Sequence, residues 1–247
     1  QIAQLFVSPI GGDGRPVFES STGAYAVKIM VSGEWQTVIM DDFFPAIESI
    51  KANDDNKGLA VGHIYGFREL WVSLLEKAYA KFYGSYAALE AGYVHHALTV
   101  FTGAQSEEIF LAGAGRGVGK KRLWKKMMRF RQNGYIMGAG TIIGNPPQIQ
   151  DIGLVVGATY TILELLNSDR EQLIKLRNPP GDHEEWRGDW GDYSPLWTRR
   201  RRRRLGFVNN DRDNAFWMSF NDFCVFFRSL YVCRWYNPRW EWSGRYP

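Results

Sequence analysis

The strongest constraint on the fold is a change in the spacing of apolar residues near Gly103. Between Glu69 and Phe82 these residues recur at helical intervals, and Gly84 follows, which predicts one core helix with a glycine stop. Beyond Gly103 one amphipathic helix is predicted over Leu123 to Phe130, and the rest indicates strands. The predicted strands are Tyr135 to Thr141, Leu154 to Leu163, Leu173 to Leu176 and Phe216 to Ser219. We therefore expect an α+β fold with a helix-containing first half and a strand-rich second half.

Composition and turn signals narrow the class of protein. The 247 residues, 45% of them hydrophobic, can bury one large or two small cores. Two β-branched runs, Tyr25 to Val31 and Gln36 to Met40, flank a Ser-Gly-Glu turn and predict a hairpin. No apolar run approaches the roughly 20 residues of a membrane helix. Two cysteines, Cys224 and Cys233, do not make a disulfide framework, which favours a reducing, cytoplasmic compartment.

A series of motifs runs from Gly33 to Cys233. The helical segment from Glu69 to Lys81 reads Glu-Leu-Trp-Val-Ser-Leu-Leu-Glu-Lys-Ala-Tyr-Ala-Lys. The other motifs are Gly33-Glu34-Trp35, Phe101-Thr102-Gly103, Leu173 to Pro179, the spaced tryptophans Trp186, Trp190 and Trp197, and Phe216 to Phe223. Taken in their order along the chain, these motifs resemble the protease core of the calpain family, whose helix reads Glu-Phe-Trp-x-x-Leu-Leu-Glu-Lys-Ala-Tyr-Ala-Lys. The resemblance implies a papain-like fold.

The resemblance also implies a domain organisation. Residues 1–103 would be the remainder of the first protease subdomain, and residues 104–247 would be the second. In that family the substrate cleft lies between the two subdomains. The motif that carries the nucleophilic cysteine belongs upstream of Gly33 and does not occur there, so we expect a truncated first half and a longer parent polypeptide.

Two positions in the second half determine what chemistry is expected. A cysteine protease needs an imidazole to deprotonate its thiol and to protonate the leaving amine. The resemblance places that histidine at Ala158, beside Gly157, and the catalytic asparagine at Asn178. Pro180 stands where the family carries a tryptophan over the asparagine–histidine pair. A methyl group cannot replace an imidazole, so the chain is expected to be catalytically inactive.

Other residues offer no clear replacement for the missing groups. Cys224 and Cys233 fall where the family has packing residues, so neither is expected to be a nucleophile. A substitute base would have to lie within hydrogen-bond reach of the nucleophile. The candidates are His63, His95, His96 and His183, of which His183 in the loop after Asn178 is the one to watch.

Calcium is the one cofactor that the resemblance raises. Positions similar to the family's ligands in the second half are Glu185, Asp192 and Asp213, whereas a further glutamate position is Ala215. Calcium takes six to eight oxygen ligands, so three carboxylates with backbone carbonyls could still form a weakened site. The alternative is that these acids are solvated loop charges. No other cofactor is expected.

Positive charge is concentrated in two segments. One contains Lys120, Lys121, Arg122, Lys125, Lys126, Arg129 and Arg131, and the other is the unbroken run Arg199, Arg200, Arg201, Arg202, Arg203 and Arg204. Removing these thirteen charges from the net charge of +4 leaves −9 for the remainder. Such patches attract polyanions, and the alternative is a solvated helix face with a flexible loop. Since no aromatic residue interleaves the arginines, acidic protein surfaces rank ahead of nucleic acid.

These observations lead to one favoured function and two alternatives. We expect an inactive calpain-like domain that acts as a structural or interaction module. By resemblance its setting would be cytoskeletal or ciliary, with tubulin or another acidic surface and other domains of the same polypeptide as partners. The alternatives are an active calcium-dependent cysteine endopeptidase whose nucleophile lies upstream, and a polyanion-binding module that uses Arg199 to Arg204.

Overall fold

The computed structural model describes residues 5–8, 20–46, 70–89, 92–111, 118–143, 152–168, 171–179, 184–208 and 213–235. The chain divides into two compact units, Gln1–Gly103 and Ala104–Pro247. Five helices and nine strands are assigned within the described residues, which confirms the α+β class. No helix there is both long and apolar enough to cross a bilayer.

The first unit combines a small sheet with two helices. Strands β1 (Phe6–Ser8), β2 (Ala24–Val31) and β3 (Glu34–Asp41) pair antiparallel in that order, and the predicted β2–β3 hairpin is confirmed. Helices α1 (Trp71–Tyr83) and α2 (Val94–Thr102) follow, with a 3-10 turn at Ala87–Leu89 between them.

Helix α1 packs one apolar face into the core of the first unit and ends at a glycine. Leu74 and Ala78, four residues apart and therefore on one helix face, are 2% and 0% exposed and join the buried side chains of Val27 and Ile29 from β2. The helix ends at Gly84, which has a left-handed φ of 98° that favours glycine. The predicted core helix and its glycine stop are thus confirmed from residue 71 onward, and Glu69 lies outside the described residues.

The second unit is built on a six-stranded antiparallel sheet. Its strands are β4 (Ser106–Phe110), β5 (Ile136–Thr141), β6 (Thr159–Ser168), β7 (Glu171–Arg177), β8 (Ala215–Ser219) and β9 (Phe227–Cys233). They lie in the order β4-β9-β5-β6-β7-β8. The helices are α3 (Val118–Gln132), α4 (Arg199–Leu205) and α5 (Phe220–Phe226).

Both faces of β7 are buried, because successive strand residues point to opposite sides of a sheet. Ile174 and Leu176 face a large core that also contains α3 and α5, whereas Leu173 faces a cluster with Trp190 and Trp197. Apolar side chains therefore cover the sheet on both sides at β7.

One predicted strand begins later than expected. Leu154 to Leu163 was predicted as a single strand, but β6 starts at Thr159. Gly157 adopts a left-handed φ of 67°, which interrupts an extended run. The backbone groups of the preceding residues bond to side chains and to the end of β5 instead of forming a ladder.

Candidate functional site

The two positions singled out for catalysis lie at the same end of a strand pair. Ala158 immediately precedes β6, and Asn178 immediately follows β7. The strands are antiparallel, with Thr161 opposite Arg177, so the start of β6 is beside the end of β7. The structure therefore brings Ala158 and Asn178 to one edge of the sheet, although they are twenty residues apart in sequence.

Thr141, the last residue of β5, holds the backbone at Ala158. The Thr141 hydroxyl accepts a hydrogen bond from the Ala158 N–H at 3.0 Å and donates to the Val155 carbonyl at 2.8 Å. The Thr141 N–H donates to the Ala158 carbonyl at 3.0 Å. Because Thr141 is only 2% exposed, these bonds are shielded from water and fix the turn. No sequence motif marked this threonine.

A buried tyrosine supports the same turn from inside the core. The hydroxyl of Tyr160 accepts a hydrogen bond from the Val155 N–H at 2.8 Å, and its side chain is fully buried. Burial raises the pKa of the Tyr160 phenol above its usual value, which keeps the group neutral at physiological pH. Tyr160 is thus a support for the backbone and not an ionised partner for chemistry.

The segment around Trp186 packs against this turn. The Arg187 N–H donates to the Ile152 carbonyl at 2.9 Å. Gly153 has a φ of 81°, and a Cβ atom there would lie 2.0 Å from the Glu185 carbonyl oxygen. Only glycine permits so close an approach between the two segments.

Asn178 is held by neighbours on two sides. It is 5% exposed, and its side-chain amide donates to Asn214 Oδ1 at 3.0 Å and to the Glu184 carbonyl at 3.4 Å. Its backbone N–H donates to the Asn214 carbonyl at 2.9 Å, which extends the pairing of β7 with β8. Asn214 itself has a φ of 50°, a conformation that asparagine tolerates better than most residues. Sequence reasoning missed Asn214, since nothing in its local sequence indicates this contact.

The side-chain oxygen of Asn178 is the unusual atom of the site. Asn178 Oδ1 is buried, and no described residue donates a hydrogen bond to it. Leaving a buried acceptor unsatisfied costs about 1–3 kcal/mol, so such atoms are uncommon in folded proteins. The described part of the second unit contains no histidine that could supply the donor, and His63 and His183 lie outside the described residues.

The remaining described histidines lie in the first unit, and Cys224 lies in α5 of the second unit. His95 and His96 begin α2 in the first unit, where their rings contact each other and Tyr93. Burial raises the pKa of the Cys224 thiol to about 11, against a smaller lowering by Lys120. A thiol with that pKa is almost wholly protonated at neutral pH and is a poor nucleophile.

The three carboxylates predicted as calcium ligands differ in their hydrogen bonds and in their burial. Asp213 Oδ2 accepts from Lys175 at 3.0 Å, and its Oδ1 accepts from the Ala215 N–H at 3.1 Å. Asp192 is 5% exposed, and Glu185 is half-buried. No group of three or more acidic, histidine or cysteine side chains among the described residues is arranged to hold a metal ion. The weakened calcium site stays a prediction.

The first basic segment forms the outer face of α3. Lys121, Arg122, Lys125, Lys126 and Arg129 are exposed, whereas Leu123, Trp124 and Met127 between them are buried. At the ends of the helix the cations are engaged. Lys120 donates to Asn221, and Arg131 donates to the Leu165 carbonyl and pairs with Glu164 at 3.4 Å.

The arginine run forms α4, so the alternative of a flexible loop is wrong. Thr198 caps the helix by accepting from the Arg201 N–H at 3.3 Å, and Gly206 ends it with a φ of 63°. The Arg201 guanidinium lies 4.9 Å from the ring centre of Trp190, and that of Arg202 lies 5.5 Å from Phe207. Aromatic residues from outside the run therefore contact it, which the sequence did not reveal.

Comparisons with known proteins agree with the motifs. A model of the calpain family cysteine proteases matches residues 12–234. The calpain-type cysteine protease DEK1 of Zea mays is 41% identical over 245 residues, which cover 98% of this chain and 11% of that protein. Calpain-B of Drosophila melanogaster is 32% identical over 232 residues, covering 87% of this chain and 23% of that protein. The chain thus spans about a tenth to a quarter of the length of these relatives.

Proposed function

Because this chain belongs to the calpain family of cysteine proteases, we propose that it is a calpain-type module that has lost peptide-bond hydrolysis and serves a structural or interaction role. In this proposal Ala158 occupies the position of the catalytic histidine, and Asn178 is the remaining member of the catalytic group. The assignment rests on the family motifs and on the placement of both residues at one end of the β6–β7 pair.

The unsatisfied oxygen of Asn178 is the observation that carries the proposal. In a cysteine–histidine–asparagine site the asparagine oxygen accepts the imidazole N–H and thereby orients the ring. Here the oxygen is buried and has no donor among the described residues, while the neighbouring strand begins after an alanine. An acceptor without a donor is the expected remnant when the imidazole is removed and its partner is retained.

A double-mutant cycle tests the assignment without depending on activity. Ala158→His should supply a donor to Asn178 and stabilise the fold by about 1 kcal/mol relative to Ala158→Phe, whose ring has no donor. The gain should vanish in an Asn178→Leu background, and thermal melts of the four proteins measure the coupling. A histidine that stabilises equally with and without Asn178 would show that the two positions do not form this pair.

An active endopeptidase is the second candidate, and the names of the relatives favour it. It requires a nucleophile outside these residues and a base other than position 158. The test is to treat the full-length protein with an electrophilic peptide, with and without calcium, and to identify labelled residues by mass spectrometry. An intact calpain serves as the control. Absence of labelling supports the inactive module, whereas calcium-dependent labelling of a cysteine refutes it.

The same proposal includes a cellular location, a partner and calcium binding for the module. A cytoskeletal or ciliary location and an acidic partner such as tubulin are implied by the resemblance alone and have no support from the geometry. Calcium binding likewise depends on residues that do not form a cluster among those described. Isothermal titration of the full-length protein with calcium would test that part directly, and heat from a site lost in Asp192→Asn would support it.

A further inference from the structure

We propose that the exposed side of α4 binds an anionic phospholipid surface through contacts between arginine side chains and lipid phosphates. This α4 arginine face consists of Arg199, Arg200, Arg203 and Arg204, all of which are exposed. The proposal is independent of whether the module hydrolyses peptide bonds, because no residue of this face belongs to the proposed catalytic pair.

Helical periodicity divides the six arginines between two sides of α4. At about 3.6 residues per turn, the four members of the α4 arginine face lie within about 140° of one another around the helix axis. Arg201 and Arg202 lie on the other side, where they donate to the carbonyls of Leu196 and Trp197 at 2.9 and 3.0 Å. The inner two arginines thus serve the fold, and the outer four form one exposed basic surface.

Aromatic packing holds α4 in a fixed position. The Arg201 guanidinium lies 4.9 Å from the ring centre of Trp190, and that of Arg202 lies 5.5 Å from the ring centre of Phe207. The Phe207 ring in turn stacks on Trp197, with the ring centres 3.9 Å apart. A helix of 7 residues is marginal by itself, so these contacts preorganise the outer arginines. Preorganisation lowers the entropy lost on binding.

The exposed arginines repel one another along the helix. No acidic residue occurs between Thr198 and Val208. Within the part of the chain that the structure describes, Arg199, Arg200 and Arg203 form no ion pair. Like charges at helical spacings of three and four residues destabilise a helix. Lipid phosphates would remove this repulsion, and each planar guanidinium can bind two phosphate oxygens at once.

Exposed apolar side chains next to α4 favour a membrane over a purely ionic partner. Val208 follows two residues after Gly206, which ends the helix, and is 80% exposed. Tyr193 is 79% exposed and precedes the two carbonyls to which the inner arginines donate. Basic residues beside apolar ones are typical of binding at a membrane surface, where tyrosine is enriched. A nucleic acid or an acidic peptide would gain little from either side chain.

The other basic segment lacks this apolar component. On α3 the apolar residues among the exposed cations, Leu123, Trp124 and Met127, are buried in the core of the second unit. The potential of an anionic membrane decays within about 8 Å at physiological ionic strength, so only side chains close to the surface are attracted. The α4 arginine face is therefore the favoured point of contact.

The test is co-sedimentation of the full-length protein with vesicles of phosphatidylcholine, alone or mixed with phosphatidylserine. One triple variant removes three charges from the α4 arginine face and is Arg199→Gln with Arg200→Gln and Arg203→Gln. The charge-matched control is Lys121→Gln with Lys125→Gln and Arg129→Gln on α3. From the usual contribution of a basic residue at an anionic surface, the α4 variant should bind mixed vesicles about 100-fold more weakly, and the control within about threefold of the unmodified protein.

A second pair of variants tests the apolar component. Val208→Ser should weaken binding to mixed vesicles about fivefold at both low and high salt, because salt does not screen apolar burial. Val225→Ser is the matched control, since Val225 in α5 is 64% exposed. That control should bind as the unmodified protein does. Equal binding by the two valine variants would overturn the membrane as the partner.

Three other results would overturn the proposal. Equal losses in the two triple variants would show that only net charge matters. Displacement from the vesicles by excess soluble glycerophosphoserine would assign the arginines to a free phosphate ligand. Failure to bind mixed vesicles, with binding of an oligonucleotide or a glutamate-rich peptide instead, would exclude a lipid surface. Thermal melts should show both triple variants folded, since all six side chains are exposed and glutamine is a good helix former.

Discussion

Replacing Gly153 with alanine tests the close approach between the turn before β6 and the segment that carries Trp186. The new Cβ would lie 2.0 Å from the Glu185 carbonyl oxygen, so the two segments must separate by more than about 1 Å to reach ordinary contact. That movement breaks the hydrogen bond from the Arg187 N–H to the Ile152 carbonyl.

The expected cost of Gly153→Ala has three parts. The left-handed φ of 81° costs a non-glycine residue about 1 kcal/mol, and the lost hydrogen bond costs about 1 kcal/mol. Repacking of the displaced segment adds about 1–3 kcal/mol, for a total of about 3–5 kcal/mol. Gly157→Ala is the matched control, because Gly157 has a φ of 67° but nothing within 4 Å of its Cβ position. That control should cost only the first part, about 1 kcal/mol.

Urea unfolding followed by tryptophan fluorescence measures the difference. With an m value of about 2–3 kcal/mol/M, a gap of 2–4 kcal/mol separates the midpoints of the two variants by about 1 M. Coincident midpoints would refute the argument. Both variants would then lose stability only through the left-handed backbone conformation, and the contact with Glu185 would contribute nothing.

Three further predictions concern single side chains. Thr141→Val should lower stability by about 2 kcal/mol through two lost hydrogen bonds, whereas Thr161→Val, on the exposed side of β6, should change it by less than about 0.5 kcal/mol in thermal melts. Burial raises the pKa of Cys224 to about 11, so this thiol favours the fold below its usual pKa of 9.0 and loses that effect as the pH rises through 11. Iodoacetamide at mildly alkaline pH should therefore modify it much more slowly in folded than in urea-unfolded protein, and equal rates by mass spectrometry would contradict the burial. The hydrogen bond from Lys77 lowers the pKa of Asp41 below 3.8, so its stabilising effect is lost as pH falls through that lowered value, and Lys77→Met should raise the pKa in a carboxyl NMR titration. An unchanged pKa would exclude Lys77 as the cause.

Local patterns in the sequence predicted most of the regular elements. The helix at α1, the β2–β3 hairpin and strands β5, β7 and β8 were expected within a few residues of their observed bounds. Each depends on periodicity or turn chemistry that nearby residues determine. Strands β4 and β9 and helices α2, α4 and α5 were not predicted, because short elements carry weak periodic signals and depend on their packing partners.

The candidate site shows the limit of sequence reasoning more clearly. The motifs alone predicted Ala158 and Asn178 as the positions of the family's histidine and asparagine, since this prediction depends only on residue identity and spacing. The sequence could not reveal that Asn214 binds the Asn178 amide while the Asn178 oxygen stays without a described donor.

For the two basic segments, the sequence again determined one part of the result and the tertiary structure another. The sequence by itself determined how many cations there are and where they lie along the chain. Only the tertiary structure decided which of them are engaged, because Arg201 and Arg202 bond to carbonyls five residues before them and lie over the rings of Trp190 and Phe207, whereas Lys121 and Lys125 are exposed. Hydrogen bonds and burial depend on which backbone segments meet in space, and local sequence does not specify those meetings.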